Sequence, residues 1–395
     1  MSLDFQQVHE QVKKLGEEAP ARARRRDELH ALTMEAMASH ASRLEALQEK
    51  VQQVARQYDA SLRCALPLTE GLEARLAAPA ALAQATLLAA DGSQINLDRH
   101  AAAEYCLVNV GAIQFKMGAG LPPETTVRSE LFYDEQLYTP SGTITEATLA
   151  LMRDLHEREL LAELAARATP PVIALTDGPI ELWGAKERGG EGVDFQRYLG
   201  EYLEALERLS ELNVGFAGYV DKPGANLVVR LLEVALAAEA DLPKIREYHP
   251  LRGITDLHLY TGLIAPGERS AVFAIQSQSA RNYRGASRLH FFYLNVGSPG
   301  KPWLARVEIP AWVAEDPELL GGLHAALVEQ CRIMGGRPYP YLLHRAHETA
   351  LVSLQEREQV TQMIVMELQH RGVSPGQISH KQAHKELAGK TRYTR

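Results

Sequence analysis

The sequence predicts a mixed α/β fold, a sheet with helices packed on it. Three observations carry this reading. Strand-like runs follow one another closely between about residues 85 and 133, which favours antiparallel pairing. A helical stretch at 144–168 then separates them from a fourth apolar run, Val172-Ile173-Ala174-Leu175. Beyond it helices and strands alternate, the pattern of parallel crossovers. A mixed sheet flanked by helices satisfies all three, with a helical extension ahead of it.

The elements follow in order. Residues 4–63 are rich in Ala, Glu, Gln, Lys, Arg and Leu, and Leu29, Leu32, Met37, Leu44, Leu47 and Val51 recur at helical spacings. Ala19-Pro20 is expected to break this region into two pieces. It reads as a helical appendage or dimerisation hairpin, with a basic arm at Arg22, Arg24, Arg25 and Arg26 as the sharper alternative. The apolar run 85–90 is expected to stop at the turn signal Asp91-Gly92-Ser93. Strands are expected at 105–115 and 125–133. The helix at 144–168 ends at Pro170-Pro171. Helices are expected at about 194–212, 225–239, 317–334 and 341–371, and strands at 215–220, 271–276, 288–296 and 305–309. The Lys-, His- and Arg-rich tail 372–395 reads as loosely ordered.

Composition narrows the function. The chain has 395 residues, 46% apolar and 23% charged, enough for a sizeable core and unlike a disordered polymer. Fifty acidic residues against 42 Lys and Arg leave a formal charge of -8. Binding to nucleic acid along the whole surface is thereby disfavoured, while a local basic groove is compatible. The scattered Cys64, Cys106 and Cys331 suit neither a zinc site nor a disulfide framework and point to a reducing, cytoplasmic setting. The opening residues lack a signal-peptide pattern, and the best bilayer candidate, residues 227–238, is interrupted by Arg230 and Glu233. No membrane role is expected.

Three carboxylates are placed to converge. Asp91 and Asp177 each follow a strand, and neighbouring strands would set them side by side. Glu157 lies on the helix between them, centred on the face of Leu160, Leu161 and Leu164, where an unpaired buried carboxylate would cost several kcal/mol in order of magnitude. Glu159, on the other side, is the alternative. Hard cations such as Mg²⁺ or Mn²⁺ take oxygen ligands and offset such repulsion. Two such ions about 4 Å apart can activate water and stabilise a leaving oxygen in phosphodiester cleavage. Against this, Asp-Gly is among the commonest turn dipeptides.

Near the end, Tyr339-Pro340-Tyr341-Leu342-Leu343-His344-Arg345-Ala346-His347 starts a helix with Pro340 and puts His344 and His347 on neighbouring faces. Such a pair is more often surface or core than functional. Other matches fail: His156-Glu157 has Leu160 where HExxH needs His, and Gly389-Lys390-Thr391 has His384 where a P-loop needs Gly. ATP hydrolysis by this chain is not expected.

On these residues the chain resembles the NurA-family nucleases over roughly residues 83–350. The likeness is carried by Asp91-Gly92-Ser93, the helical Arg153 and Glu157, Asp177-Gly178 and Ala217-Gly218-Tyr219-Val220-Asp221-Lys222, then by Arg306-Val307-Glu308-Ile309-Pro310 and Tyr339-Pro340 with Ala346-His347. The resemblance implies an RNase H-like domain over 83–350; composition and periodicity place a helical region at 1–82 before it and a C-terminal helix and basic tail at 351–395 after it. It implies a Mn²⁺- or Mg²⁺-dependent DNA nuclease with two ions, acting as a 5′-to-3′ exonuclease and single-strand endonuclease. It also implies a homodimer that works with a HerA-type hexameric DNA-translocating ATPase in end resection. Carried over by position, Asp91, Glu157, Asp177 and His347 are expected metal-site residues, with Tyr219 and Lys222 near the scissile phosphate. The rival expectations are a catalytically silent clamp for a DNA motor and a phosphohydrolase of small esters.

Overall fold

The computed structural model describes residues 3–99, 101–182 and 192–373. The expected loose tail lies, from residue 374 on, outside the described residues. Two units divide the chain: residues 1–80 with 218–338, and residues 81–217 with 339–395. The N-terminal helices pack with a segment more than 200 positions downstream, His30 Nε2 lying 3.1 Å from His258 O.

The unit of residues 81–217 and 339–395 is built on strand Ala85–Ile95. It pairs antiparallel with Tyr105–Met117, which pairs antiparallel with Glu124–Tyr133. On its other side it pairs parallel with Val172–Asp177, in the register Ala90 to Thr176. The sheet is therefore mixed. Residues 85–90 are all buried, as expected of a strand covered on both faces. Helix Glu146–Ala165 covers it with Leu149, Leu155 and Leu161, and begins at Thr145, whose hydroxyl accepts from the Thr148 N–H at 3.1 Å. Helix Val193–Glu211 packs on that helix, with Tyr202 and Leu206 fully buried.

The other unit holds an antiparallel sheet. Strand Cys64–Pro67 pairs with Phe273–Gln276, which pairs with Leu289–Asn295. Next comes Leu304–Pro310, and then Gly218 to Asp221 of strand Gly215–Asp221. The N-terminal helices belong here. Lys50 Nζ donates to Ala235 O at 3.0 Å and Ala237 O at 2.6 Å, at the C-terminal end of helix Leu227–Leu236. Arg269 grips Glu70 through two bonds of 2.8 Å.

Four expectations are corrected. Asp91-Gly92-Ser93 is not a turn; the strand runs through it to Ile95. Pro20 does not break the first helix, which runs Phe5–His40; a proline costs about 3 kcal/mol locally, and 36 helical residues absorb it. The late strands expected as parallel pair antiparallel, because a short hairpin joins Leu289–Asn295 to Leu304–Pro310. The last helix is two, Tyr341–Ala350 and Leu354–His370, divided where Ser353 and Glu356 form a capping box. Among the described residues no helix is long and apolar enough to cross a membrane.

Candidate active site

Two glycines make room for the site. A Cβ on Gly92 would stand 2.4 Å from Arg153 Cγ and 2.8 Å from Glu157 Oε1. One on Gly111 would stand 2.6 Å from the backbone N of Ala350. Gly111 is the cross-strand partner of Asp91. The missing side chains let helix Glu146–Ala165 press on Gly92 and the end of helix Tyr341–Ala350 press on Gly111, so both helices reach Asp91.

Small polar side chains fix the second helix. Ser93 Oγ donates to Ala350 O at 2.5 Å and accepts from the Val352 N–H at 3.2 Å. Asn109 Nδ2 donates to the same carbonyl at 2.7 Å. The helix is stopped there and His347 is delivered to Asp91, with Nδ1 2.7 Å from Oδ2. The Gly92 N–H holds the other carboxylate oxygen at 2.8 Å.

Asp177 follows Thr176 by one residue, as Asp91 follows Ala90, so the two acids occupy equivalent positions on neighbouring strands about 4.8 Å apart. Tyr339 Oη donates to Asp177 Oδ1 at 2.8 Å. The Asp177 side chain reaches solvent, yet the atoms packed behind it push its pKa above the usual aspartate range, and the Asp91 charge adds to the rise. The Tyr339 hydroxyl, the Gly178 N–H and His347 work the other way.

Glu157 is buried, 4% exposed, as its place on the helix face predicts. Burial pushes its carboxyl up to about 8, with Asp154 and Asp91 adding and Arg158 and Arg153 opposing. Arg158 binds it directly, Thr176 Oγ1 donates to it at 3.3 Å, and Arg153 Nε lies 3.6 Å away. Arg158 is itself held by the Tyr202 hydroxyl at 3.1 Å. The fallback, Glu159, is only half-buried. His344 faces Glu348, 3.5 Å away.

The structure thus brings Asp91, Asp177 and His347 together, with Glu157 beside them but engaged by Arg158. Among the described residues no three His, Cys, Asp or Glu side chains already stand as a metal cage. Two carboxylates on neighbouring strands, Asp177 destabilised as an anion first by burial and then by the Asp91 charge, are nonetheless a donor pair that suits a hard divalent cation. Tyr219 and Lys222 lie in the other unit. Tyr219 is completely buried, with Cys331 Sγ 3.9 Å from its hydroxyl, so it offers nothing to a phosphate and is corrected to a core residue. Lys222 Nζ sits 5.9 Å from the centre of the Trp303 ring. Tyr339, Arg153 and Arg158 were not assigned roles from sequence. Tyr339 and Arg153 lay inside quoted motifs, whereas nothing local marks Arg158 as buried.

A NurA domain matches residues 85–352. The chain belongs to the NurA family. All four carboxylate and histidine positions of the cluster fall within the matched span. No curated protein matches the chain. Among solved structures it is similar to the NurA nuclease from Sulfolobus solfataricus, at 12% identity and a TM-score of 0.45, over 73% of this chain and 85% of that one. It is similar, more distantly, to LC9-RNase H1, at 14% identity and a TM-score of 0.23, over 37% of this chain and 68% of that one. Endonuclease V of Ciona intestinalis, in complex with a DNA 24mer, aligns at 12% identity and a TM-score of 0.31, over 83% of this chain and 99% of that one.

Proposed function

We propose that this NurA-family protein is a divalent-cation-dependent DNA nuclease. The observation that carries the reading is the pairing of Asp91 and Asp177 on neighbouring strands with His347 held on Asp91, inside the family's domain. Asp91 and Asp177 would hold Mn²⁺ or Mg²⁺, with Glu157 as a further oxygen donor if Arg158 releases it. Bound there, the cation would polarise the phosphate and acidify a water.

The chain's own residues do the rest. Tyr339 orients Asp177, and the Gly92 N–H orients Asp91. His347, 60% exposed, is placed to take a proton from an incoming water or pass one to the leaving oxygen. Arg158 and Arg153 hold the Glu157 carboxyl in place beside the site. Exonuclease polarity, single-strand endonuclease action, homodimerisation and a HerA-type motor as partner belong to the same proposal. They rest on the resemblance of motifs.

End-labelled linear DNA incubated with Mn²⁺ or with EDTA is the test. Degradation only with metal, lost in Asp177→Asn, is the expected result; cleavage in EDTA or by the variant overturns the assignment. One observation favours a second reading, a silent clamp for a DNA motor: Arg158 already occupies the Glu157 carboxylate. DNA binding without cleavage at any metal concentration would establish that alternative.

A further inference from the structure

The hairpin that joins Leu289–Asn295 to Leu304–Pro310 closes over a cavity of about 700 Å³ in the unit of residues 1–80 and 218–338. Its lining includes Gly297, Lys301, Trp303, Val328 and Arg332. That volume falls in the range of roughly 300–1,000 Å³ that accepts small-molecule-sized groups. Trp303, 37% exposed, leaves part of its ring open to solvent at the edge of this cavity.

The ring is held from several sides. Its Nε1–H donates to Asp221 Oδ1 at 2.7 Å, and Lys222 Nζ stands 5.9 Å from its centre. The Asn295 side chain accepts from the backbone N–H groups of Gly297 at 3.0 Å and Trp303 at 3.1 Å, and donates to Ile264 O at 2.9 Å. Gly297 is obligatory in this turn: a Cβ there would lie 2.3 Å from Lys301 O and 2.4 Å from Trp303 N. The platform is therefore pre-organised, which lowers the entropy cost of binding.

Charge around the ring favours an anion. Among the described residues Lys301 pairs with no carboxylate, and Arg332, which is exposed, pairs with Glu329 at 3.2 Å. With Lys222 they outnumber Asp221 and Glu329. An exposed indole with cations on flexible stems is the combination that stacks an unpaired base and tracks its phosphates.

We propose that the Trp303 cavity binds single-stranded DNA, stacking one base on the indole with Lys301 and Arg332 on the flanking phosphates. The proposal rests on the nuclease reading above and adds a site for the strand. Its test is binding of a labelled oligothymidylate by the full-length protein in EDTA, so that no cleavage intervenes. Trp303→Ala should weaken binding about tenfold, and Trp303→Phe should recover most of the loss. Lys301→Ala should reduce the slope of log affinity against log salt by about 0.7. Wild-type affinity in Trp303→Ala overturns the site, as does equal loss in Trp303→Phe. Should Trp303→Ala not fold, photo-crosslinking of the wild-type protein to a 5-bromouracil oligonucleotide decides. A crosslink on Trp303 supports the site, and crosslinks confined to other residues overturn it. Wild-type protein that binds this way but never cuts with Mn²⁺ would sink the nuclease reading and leave the stacking site standing.

Discussion

At Gly92 and Gly111 the absence of a methyl group decides what a whole strand can do. Gly92 stands beside a long, adjustable Arg153 side chain, but Gly111 faces the backbone of Ala350. Gly111→Ala should therefore destabilise the protein by about 1–3 kcal/mol, read as a lower urea midpoint, and should separate His347 from Asp91. Glu157 gives a second test. Its carboxyl, raised to about 8 chiefly by burial, lies above its unfolded value of 4.5. Between those values the unfolded chain has lost a proton that the folded one keeps. The stability it contributes is full below about pH 4.5 and is lost as pH rises toward 8. The melting-temperature difference between wild type and Glu157→Gln, followed without metal, should fall across that window and level off above it; a constant difference would show that Glu157 titrates normally. That Glu157 is buried was legible from helical spacing. That Arg158 accompanies it was not, because Arg158 is followed by Glu159 and nothing in the helical pattern says that Tyr202 will be waiting for it.

The elements were legible in kind and less so in their ends. Apolar periodicity places helix Glu146–Ala165 and strands Val172–Asp177 and Leu304–Pro310 within a few residues of their observed limits. Asp91-Gly92-Ser93 misleads because Asp-Gly is a turn signal only where the chain is free to reverse. Here eleven paired positions with Tyr105–Met117 keep it extended. The break between Tyr341–Ala350 and Leu354–His370 has a similar origin: Ser93 and Asn109, more than 240 positions away, take the carbonyl of Ala350. Ser93→Ala should cost about 1–2 kcal/mol in thermal or urea unfolding, since it leaves the Val352 N–H and one bond to Ala350 O unmet. An unchanged stability would show that water replaces the hydroxyl. Helix Leu354–His370 also depends on distant partners, with Val360 and Ile364 against Ile95, Tyr105 and Leu107.

For the molecule as a whole, the acidic balance of -8 gives no warning of where charge concentrates. The unit that holds Asp91 and Asp177 brings these two carboxylates to neighbouring strand positions, while the unit that holds Trp303 gathers Lys222, Lys301 and Arg332. A ligand that binds only the folded state raises its stability by about 2.7 kcal/mol at a hundred times its Kd. Saturating Mn²⁺ should therefore raise the melting temperature of wild type by several degrees, measured without DNA. The rise should disappear in Asp91→Asn and Asp177→Asn. Equal shifts in all three proteins would place the ion elsewhere.

The sequence by itself determined the α/β class, most of the elements, the N-terminal helical extension and the family, because periodicity and short motifs are local properties of the chain. Only the tertiary structure decided that Asp91 would meet His347, that Arg158 would claim Glu157, and that Tyr219 would disappear into a core. Each of these depends on which distant residues arrive at the same place, and burial, charge and hydrogen bonding all follow from that encounter rather than from the order of residues around it.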